Sequence, residues 1–392
     1  MRAVERVLQR LDSTLDFVHA QRRGALLRAV GALLHGGALW LSALGRTMRG
    51  PAAPKHAIKM VDRLLGNRAL HDQRLEIYAA LAMKLLRDVR QVAVLVDITE
   101  IRAGLCALTA SVAMEGRSVP ILGRVRRKKT ISKRANLASF LRDLHYVLPP
   151  TVTPVIVTDA GFESPWFDQV HAMGWHYVGR VRHLTKFQLD GEWVGAKRLH
   201  RMARPWVQDL GELPFPRHRP RPRRIVLSQR PEAKGRRRLN AYGLKGRTVG
   251  DKRCQQSARE PWVLATSLSC ASHVVVSVYA LRMQIEQNYR DTKNHRWGWR
   301  LDQSRSRSNR RLEMLLLIAA VAMYVVLAFG CAAERAGLHR LHQANTVLHR
   351  RVLSFFTLGL FVLRSNLRRW TASPSHLFAE IRSRIYQLPD AA

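Results

Sequence analysis

The stretch QVAVLVDITEIRAGLCALTASVAMEGRSVPILGRVRR, residues 91–127, indicates the fold class. Its first run, 91–98, is rich in valine and contains no strand breaker, so it predicts a buried strand. A second strand is expected at 104–114, and the turn EGRS leads to a third at 119–127. Because strands that follow one another in sequence usually lie side by side, these three are expected to be neighbours in one sheet.

The segment that follows alternates helices and strands. An amphipathic helix is predicted at 134–147, a buried strand at 153–159, a short helix at 164–173 and another strand at 175–182. The resulting order, β-β-β-α-β-α-β, places adjacent strands first and crossovers afterwards. This order is typical of a mixed α/β sheet.

The rest of the chain differs from this core in composition. Residues 183–260 are rich in Arg, Pro and Gly with short alternating runs, which predict a β-rich insertion. Within it, RHRPRPRR at 217–224 is expected to be an exposed loop, and PWVLATSL at 261–268 resumes as a strand. The predicted regions are a helical N-terminal region at 1–85, a first core part at 90–182, the β-rich insertion at 183–260, a second core part at 261–330 and a helical C-terminal region at 331–392.

The chain is strongly basic. Its 392 residues carry a formal net charge of +38, from 66 Lys and Arg against 28 Asp and Glu. Such a charge repels itself in a compact fold unless a polyanion binds, so nucleic acid is the expected partner and an anionic membrane surface the second candidate. The 47% hydrophobic content argues against global disorder. The four cysteines include no C-x2-C pair, which argues against a zinc site.

One apolar run raises the possibility of a membrane-associated protein. Residues 314–331, MLLLIAAVAMYVVLAFGC, carry no charge and reach the length at which a helix can span a bilayer. The run is marginal in length, rich in alanine and preceded by Glu313. A single segment of this kind in a basic chain favours a helix buried on all sides within the protein.

A second stretch, VYALRMQIEQNYRDTKN at 278–294, carries the candidate chemistry. Read as one α-helix, its Y-x2-R-x3-E-x6-K array lies within an arc of about 60°, and Arg290 falls on the same face. One carboxylate ringed by cations and a phenol favours a metal ion and a phosphodiester over a hydrophobic core. The ordinary alternative is a solvated charged face. The four residues of the array are Tyr279, Arg282, Glu286 and Lys293.

Two aspartates could complete a site around Glu286. Asp97 is expected to end the first strand, and Asp159 the strand after the first helix. Adjacent parallel strands that end at one edge would bring both carboxylates within a few ångströms, and a helix across that edge can add the third. Three converging carboxylates need cations, and such hard oxygen ligands suit two Mg²⁺ or Mn²⁺ ions about 3.5–4 Å apart. Taken alone, an aspartate at a strand end often caps the following turn instead.

These motifs resemble those of the DDE transposases of bacterial insertion sequences, specifically the IS-four family with its Tyr-Arg-Glu-Lys motif. The resemblance covers most of residues 55–335 and is specific at VLVDIT around Asp97, at VTDAGFES around Asp159, and at the array. It implies an RNase H-like catalytic core interrupted by a β-rich insertion before the last acid. The expected fold is therefore α/β, with an RNase H-like mixed-sheet core, a β-rich insertion, and helical N- and C-terminal regions.

The resemblance also implies roles for individual residues. Asp97, Asp159 and Glu286 would be the catalytic acids and hold two divalent metal ions. The other three members of the array would grip phosphates of the transposon end. Relatives flip a base out of the DNA and stack it on a tryptophan, and Trp262 in EPWVLATS sits at the matching place. The alternative for Trp262 is a core tryptophan at a sheet edge.

Two positions match the family less securely. Arg180 in YVGRVR matches a DNA-contacting arginine, and Arg182 is nearly as good a candidate. Some relatives carry a second tryptophan just after the motif arginine, where this chain has Met283. A wedge role there would rest on a smaller and more flexible side chain.

Two further sets of basic residues could contact the DNA backbone. One set recurs at four-residue spacing on a short predicted helix of the N-terminal region 1–85, which is therefore predicted to bind DNA. The other set belongs to the loop RSRSNRR at 305–311. The alternatives are a solvated helix face and an exposed solubilising loop. The residues are Lys55, Lys59 and Arg63 on the helix, and Arg305, Arg307, Arg310 and Arg311 in the loop.

The expected function is cut-and-paste transposition of an insertion sequence. The partners would be double-stranded DNA, as terminal inverted repeats and as target, and a second copy of the chain in a homodimer built through the tail after about residue 331. The expected location is the bacterial cytoplasm at the nucleoid, with no membrane. The alternatives are a catalytically silent transposase-derived DNA-binding protein, an RNase H-like nuclease without strand transfer, and a basic membrane-associated protein.

Overall fold

The structure, a computed structural model, divides into two compact units, one built from residues 1–154 and 281–389 and the other from 155–280. Both units contain strands and helices, and the strand pairs are parallel in some places and antiparallel in others. The predicted α/β class with a mixed sheet and helical flanks is therefore confirmed. The described residues are 2–102, 104–182, 185–229, 260–296, 298–344, 346–347, 349–365 and 373–388.

The N-terminal part of the first unit is helical. The first helix buries Val7 and Leu11 at helical spacing, as its amphipathic pattern predicts. The third and fourth helices approach closely at Gly45, because a Cβ atom there would lie 2.6 Å from the Cα atom of Ile58. The helices are α1 (Arg2–Thr14), α2 (Ala20–Leu34), α3 (Leu41–Thr47), α4 (Pro54–Gly66), α5 (Arg68–Asp72) and α6 (Arg74–Leu85).

Three antiparallel strands follow, β1 (Gln91–Arg102), β2 (Leu105–Ala113) and β3 (Ser118–Arg127), in the spatial order β3-β2-β1. Strand β1 was expected to end near residue 98, and this expectation is wrong. Pairing with β2 continues to the opposed residues Arg102 and Leu105. Asp97 therefore lies inside β1 rather than at its end.

One long apolar helix of the first unit, α13 (Asn309–Arg335), packs against α2, β3 and α14 (Phe355–Arg364). A Cβ atom on Gly330 would lie 2.1 Å from the carbonyl oxygen of Phe355, and one on Gly359 would lie 2.0 Å from that of Val326. These two glycines therefore let α13 and α14 pack backbone against backbone. The other elements are α7 (Lys128–Ile131), α8 (Arg134–Val147), α12 (Met283–Lys293), α14 (Phe355–Arg364), α15 (Pro374–Ser383) and the 3₁₀ helices Leu301–Gln303 and Leu338–Leu341.

Helix α13 is long and apolar enough to cross a membrane by length and composition alone. In the structure 94% of its apolar 18-residue window is buried within the protein. The prediction of a helix buried on all sides at 314–331 is confirmed.

The second unit contains strands in the spatial order β4-β5-β10-β9-β8. Strands β4 and β5 are parallel, and the other neighbours are antiparallel. Strands β6 and β7 form a separate antiparallel pair. The elements are β4 (Thr153–Thr158), α9 (Ser164–Ala172), β5 (His176–Val181), β6 (Lys186–Leu189), β7 (Glu192–Gly195), α10 (Ala196–Met202), β8 (Gln208–Phe215), β9 (Arg221–Ser228), β10 (Trp262–Thr266) and α11 (Ser272–Ala280).

The predicted β-rich insertion differs from the expectation at 217–224. The stretch 217–224 was predicted to be an exposed loop, but its second half forms β9 and Arg223 is only 6% exposed. Burial is possible because the Arg223 guanidinium donates to Asp168 Oδ1 at 2.6 Å and to the Phe215 carbonyl at 2.5 Å. The part of the predicted insertion at 230–259 lies outside the described residues.

The candidate helix at 278–294 is not one continuous helix. Helix α11 ends at Ala280 and α12 begins at Met283. In the first turn of α12 the amides of Gln284 and Ile285 donate to the carbonyls of Leu281 and Arg282, three residues back, which starts a new helix. The prediction that the four array residues share one arc assumed a continuous helix. Because the helix is interrupted, helix geometry does not place Tyr279 on the same face as Arg282, Glu286 and Lys293.

Candidate active site

The first predicted acid, Asp97, lies in the middle of β1, opposite Thr109 of β2. Its Oδ1 accepts a hydrogen bond from the amide of Ile98 at 2.8 Å. The residue is half-buried. A position inside a strand fixes the backbone of Asp97 more firmly than the strand end that the sequence suggested.

A tyrosine that the sequence reasoning missed fastens α12 to β1 beside Asp97. The hydroxyl of Tyr289 donates to the Asp97 carbonyl at 3.0 Å and lies 2.5 Å from Thr109 Oγ1. Tyr289 follows Glu286 by three residues, so both lie on neighbouring positions of one helix surface. An aromatic residue within a charged helix is the sequence signal for this contact.

The inner face of α12 continues this attachment to the sheet. Ile285, Asn288 and Asp291 recur every three residues and are buried. The Asn288 amide donates to the Ser118 carbonyl at 2.6 Å, and Asp291 pairs with Arg117 at 2.6 Å. Burial raises the pKa of Asp291 above its usual range, although Arg117 opposes the shift. These contacts to the start of β3 fix α12 on the first unit.

The predicted third acid, Glu286, lies in the first turn of α12 and is 42% exposed at its side chain. Its Oε1 forms an ion pair with Arg282 Nη2 at 2.7 Å, one helical turn earlier. Arg282 is 15% exposed, and Arg290 on the next turn is exposed. The predicted neighbourhood of Glu286 and Arg282 is therefore present in the structure.

Lys293, the last member of the array, lies against β1 beyond Asp97. Its Nζ donates to Thr99 Oγ1 at 2.7 Å and to the Glu100 carbonyl at 2.5 Å. Burial lowers the pKa of Lys293 below its usual range. Lys293 thus braces α12 against β1 in addition to any contact with a ligand.

Asp159, the second predicted acid, belongs to the second unit and follows directly after β4. Its Oδ1 accepts a hydrogen bond from the Gly161 amide at 2.8 Å, the contact of an aspartate that closes a turn. The residue is half-buried. The strand-end position predicted for Asp159 is confirmed, and its turn-closing bond involves only one carboxylate oxygen.

Two more predicted DNA contacts of the second unit are packed against protein groups. Trp262 opens β10 and meets Tyr279 of α11 edge to face, with ring centroids 4.8 Å apart. Tyr279 is only 3% exposed, whereas Trp262 is half-buried. Arg180 of β5 lies 3.8 Å from Glu260 and is 11% exposed.

The predicted backbone contacts of the first unit are exposed. On α4 the three basic residues stand one turn apart, as the spacing predicted. The loop that precedes α13 carries two exposed arginines, and the helix itself starts with two more, one of which pairs with Asp62 of α4. The exposed residues are Lys55, Lys59, Arg63, Arg305, Arg307 and Arg310.

The atoms that the three acids could offer to a metal ion are carboxylate oxygens. Among the described residues no group of three Asp, Glu, His or Cys side chains is arranged to hold a metal ion. The Gly161 amide contacts Oδ1 of Asp159, and the Arg282 guanidinium contacts Oε1 of Glu286. Carboxylate oxygens are the donors that Mg²⁺ and Mn²⁺ prefer, so this donor set fits such ions chemically.

Comparison with known proteins identifies a protein family for this chain. A family model described as the transposase DDE domain matches residues 96–323, which is more than half of the chain. The matched range includes Asp97, Asp159 and Glu286. No curated protein matches the chain.

Proposed function

The chain belongs to the transposase DDE family, and from this membership we propose that it moves an insertion sequence by metal-dependent cut-and-paste transposition. Membership implies a DNA-binding enzyme that uses divalent metal ions. The observation that carries the proposal is the family match across all three acids, together with the Tyr289 bond that fastens the Glu286 helix to the backbone of Asp97. Within the family we place the chain in the IS-four group, on its Tyr-Arg-Glu-Lys array.

The three acids have a common role in this proposal. Asp97, Asp159 and Glu286 hold two Mg²⁺ or Mn²⁺ ions. Such a pair of ions supplies an activated oxygen nucleophile and stabilises the leaving oxygen of an in-line displacement at phosphorus. The Glu286 side chain is 42% exposed, and its ion pair with Arg282 orients the side chain through Oε1. Asp97 is held by the strand, so its carboxylate needs little reordering to bind.

The reaction follows as successive displacements at phosphorus. Water attacks the phosphodiester at the transposon end and releases a 3′-hydroxyl. That hydroxyl attacks the opposite strand, forms a DNA hairpin and releases the flanking DNA. Water reopens the hairpin, and the regenerated 3′-hydroxyl attacks the target phosphodiester. Each step forms one P–O bond and breaks one, so the same three carboxylates serve all of them.

The proposal also assigns DNA contacts to residues of both units. The array residues Tyr279, Arg282 and Lys293 bind phosphates, with Arg290 on the exposed side of α12. Trp262 stacks a flipped base, which can offset the few kcal/mol that unstacking costs. The DNA backbone is followed further by Arg180, Lys55, Lys59, Arg305, Arg307 and Arg310.

The assembled form in this proposal is a homodimer that holds two transposon ends, in the bacterial cytoplasm at the nucleoid. The DNA partners are the terminal inverted repeats and the target duplex. We propose that the helical region after residue 331 carries the dimer contact. The five predicted regions of the chain, from the N-terminal DNA-binding helices to this tail, are part of the same proposal.

Two alternatives share the family but not the full reaction. A catalytically silent relative would bind DNA ends without cutting them, and a nuclease would cut without strand transfer. The presence of all three acids favours an active enzyme over the silent relative. Trp262 at the start of β10 favours hairpin chemistry over simple cleavage.

The test uses the full chain, Mg²⁺ and a labelled duplex that carries the inverted repeat flanking the gene. Asp97→Asn, Asp159→Asn and Glu286→Gln are each expected to abolish cleavage while keeping end binding within about twofold, because each removes a charge without changing shape. Full cleavage by any of the three would overturn the metal assignment. Binding without cleavage by the unmodified chain would identify the silent relative, and cleavage without joining would identify the nuclease.

A further inference from the structure

A basic groove on the second unit begins one residue after Asp159. Its volume is about 760 Å³, and its walls come from the start of α9, the end of β5 and the turn between β8 and β9. Glu163 is an acidic residue in its lining. The basic lining residues are Arg180, Arg182, Lys186, Arg217 and His218.

Two of these arginines present one binding surface. Arg180 is the second-to-last residue of β5 and Arg182 directly follows its final residue, and both guanidiniums lie near the carboxylate of Glu260. The strand is fixed by its antiparallel register with β10, where Val181 opposes Val263. Gly179 keeps the strand tight on α9, because a Cβ atom there would lie 2.3 Å from the Phe167 ring. The guanidiniums therefore stand on a rigid support.

A carboxylate from the chain already occupies this surface. Glu260 forms an ion pair with Arg182, and its Oε2 lies 3.8 Å from Arg180 Nη2. Although burial acts to raise it, the hydrogen bond and charge of Arg182 lower the pKa of Glu260 below its usual range. The arginines are 11% and 15% exposed, whereas Glu260 is 32% exposed. Glu260 is thus the most accessible member of the cluster and the one that a competing anion can replace.

The proposed function already places Arg180 on the DNA backbone, and we propose that Glu260 occupies this phosphate site, which Arg182 completes, until a phosphate of the DNA backbone displaces its carboxylate. A carboxylate and a phosphodiester both offer two oxygens to a guanidinium fork, so one can stand in for the other. The inference rests on the proposed transposase function, because it needs DNA as the ligand. Lys186 and Arg217 in the same groove extend the site to neighbouring phosphates.

The exchange links DNA binding to the start of β10. Glu260 precedes Trp262 by two residues, and Trp262 is the proposed base-stacking residue. Release of Glu260 from the arginines therefore removes a tether beside that side chain at the moment when phosphate binds. In the absence of DNA the same tether keeps the two arginines from binding other polyanions, since a competing anion must first break the ion pair.

Fluorescence polarisation of the full chain with a fluorescein-labelled 30-base-pair duplex of arbitrary sequence tests the exchange. Glu260→Gln is expected to bind about tenfold tighter than the unmodified chain at fixed salt, the effect of one charged hydrogen bond no longer competing. Glu192→Gln is the matched control, because it removes the same charge from an exposed position on β7. It is expected to change affinity by no more than about twofold.

A second variant shows whether the gain passes through the arginines. Arg182→Gln added to Glu260→Gln is expected to remove most of the gain, because the released phosphate site is then incomplete. Equal affinities of Glu260→Gln and Glu192→Gln, or a gain that survives Arg182→Gln, would overturn the proposal. If circular dichroism shows that Glu260→Gln is unfolded, Glu260→Asp replaces it, with a smaller rise expected and no rise overturning the proposal.

The outcome is separable from that of the transposase proposal. A chain that binds duplex more tightly as Glu260→Gln, yet never cuts transposon ends, keeps the phosphate site and loses the proposed reaction. A chain that cuts ends normally, with no gain from Glu260→Gln, keeps the reaction and loses the phosphate site.

Discussion

Glu286 and Glu313 lie on successive helices of the first unit, and both are paired with arginine, but the structure holds them very differently. Glu286 on α12 is 42% exposed at its side chain and forms an ion pair with Arg282. Glu313 on α13 is 5% exposed at its side chain and pairs with Arg74 at 2.7 Å and Arg126 at 3.1 Å. One carboxylate can accept a ligand, and the other is fully used within the protein.

The difference shows which property separates a functional acid from a structural one. Glu313 also accepts the Val125 amide at 2.9 Å, so it connects α6, β3 and α13. Breaking a buried pair of this kind leaves an uncompensated charge, whereas an exposed pair contributes little to stability. Charge pattern alone does not distinguish the two glutamates, but burial and the number of partners do.

The largest expected effect is the loss of catalysis in Glu286→Gln. Removal of a metal-binding carboxylate is expected to slow end cleavage at least about a thousandfold. A thousandfold loss corresponds to a barrier that is higher by about 4 kcal/mol. The free energy of unfolding of Glu286→Gln should change by less than about 1 kcal/mol, because the Glu286 side chain is 42% exposed and the neutral amide can still accept a hydrogen bond from Arg282. Cleavage in Mg²⁺ and urea denaturation of the same preparation measure both. Cleavage within tenfold of the unmodified chain would contradict the assignment.

The second effect is the loss of stability in Glu313→Gln. This variant is expected to lose about 3–5 kcal/mol of the free energy of unfolding, because Arg74 stays buried without its charge partner. Urea denaturation followed by circular dichroism measures the loss. Glu192→Gln is the exposed control and should shift by less than about 0.5 kcal/mol. A loss below 1 kcal/mol for Glu313→Gln would place it in the same class as Glu286.

A third prediction extends the comparison to an aromatic residue that is only half-buried. Trp262→Ala is expected to reduce hairpin formation by roughly 5- to 150-fold, the worth of about 1–3 kcal/mol of base stacking, with a smaller effect on the first nick. Trp262→Phe should restore part of the hairpin step. Gel separation of nicked and hairpin products gives both rates. Equal losses at the two steps would indicate that Trp262 instead supports Tyr279 structurally.

The smallest expected effect concerns Lys293, which contacts protein and is proposed to contact phosphate as well. Lys293→Ala should weaken end binding and flatten the dependence of log K on log salt by about one unit. Lys293→Arg is the charge-keeping control and should retain the slope. Polarisation titrations at several salt concentrations measure it. An unchanged slope in Lys293→Ala would leave the lysine only its structural bonds to Thr99 and Glu100.

Much of the fold could be predicted because its signals are local. Valine-rich runs gave the strands, and the apolar run at 314–331 gave the buried helix. The length of β1 could not be predicted, since three of the four residues at 99–102 carry polar side chains and the segment becomes a strand only by pairing with β2. The burial of Arg223 likewise depends on Asp168, which lies 55 residues away in the chain.

The candidate site was predictable in its residue types but less so in its geometry. The four-residue spacing of Arg282 and Glu286 predicted their ion pair, because one turn of helix depends only on neighbouring residues in the chain. The helix break between Ala280 and Met283 could not be predicted, because the two residues between them are neither Pro nor Gly. The bond from Tyr289 to the Asp97 carbonyl joins residues 192 apart and depends on tertiary packing.

The most direct test of the central claim is metal binding by the three acids. Electron paramagnetic resonance of Mn²⁺ titrated into the full chain bound to end DNA counts the ions held. The unmodified complex is expected to hold two ions, and Asp97→Asn, Asp159→Asn and Glu286→Gln should each lose at least one, while Glu192→Gln keeps both. Retention of both ions in all three variants would contradict the account.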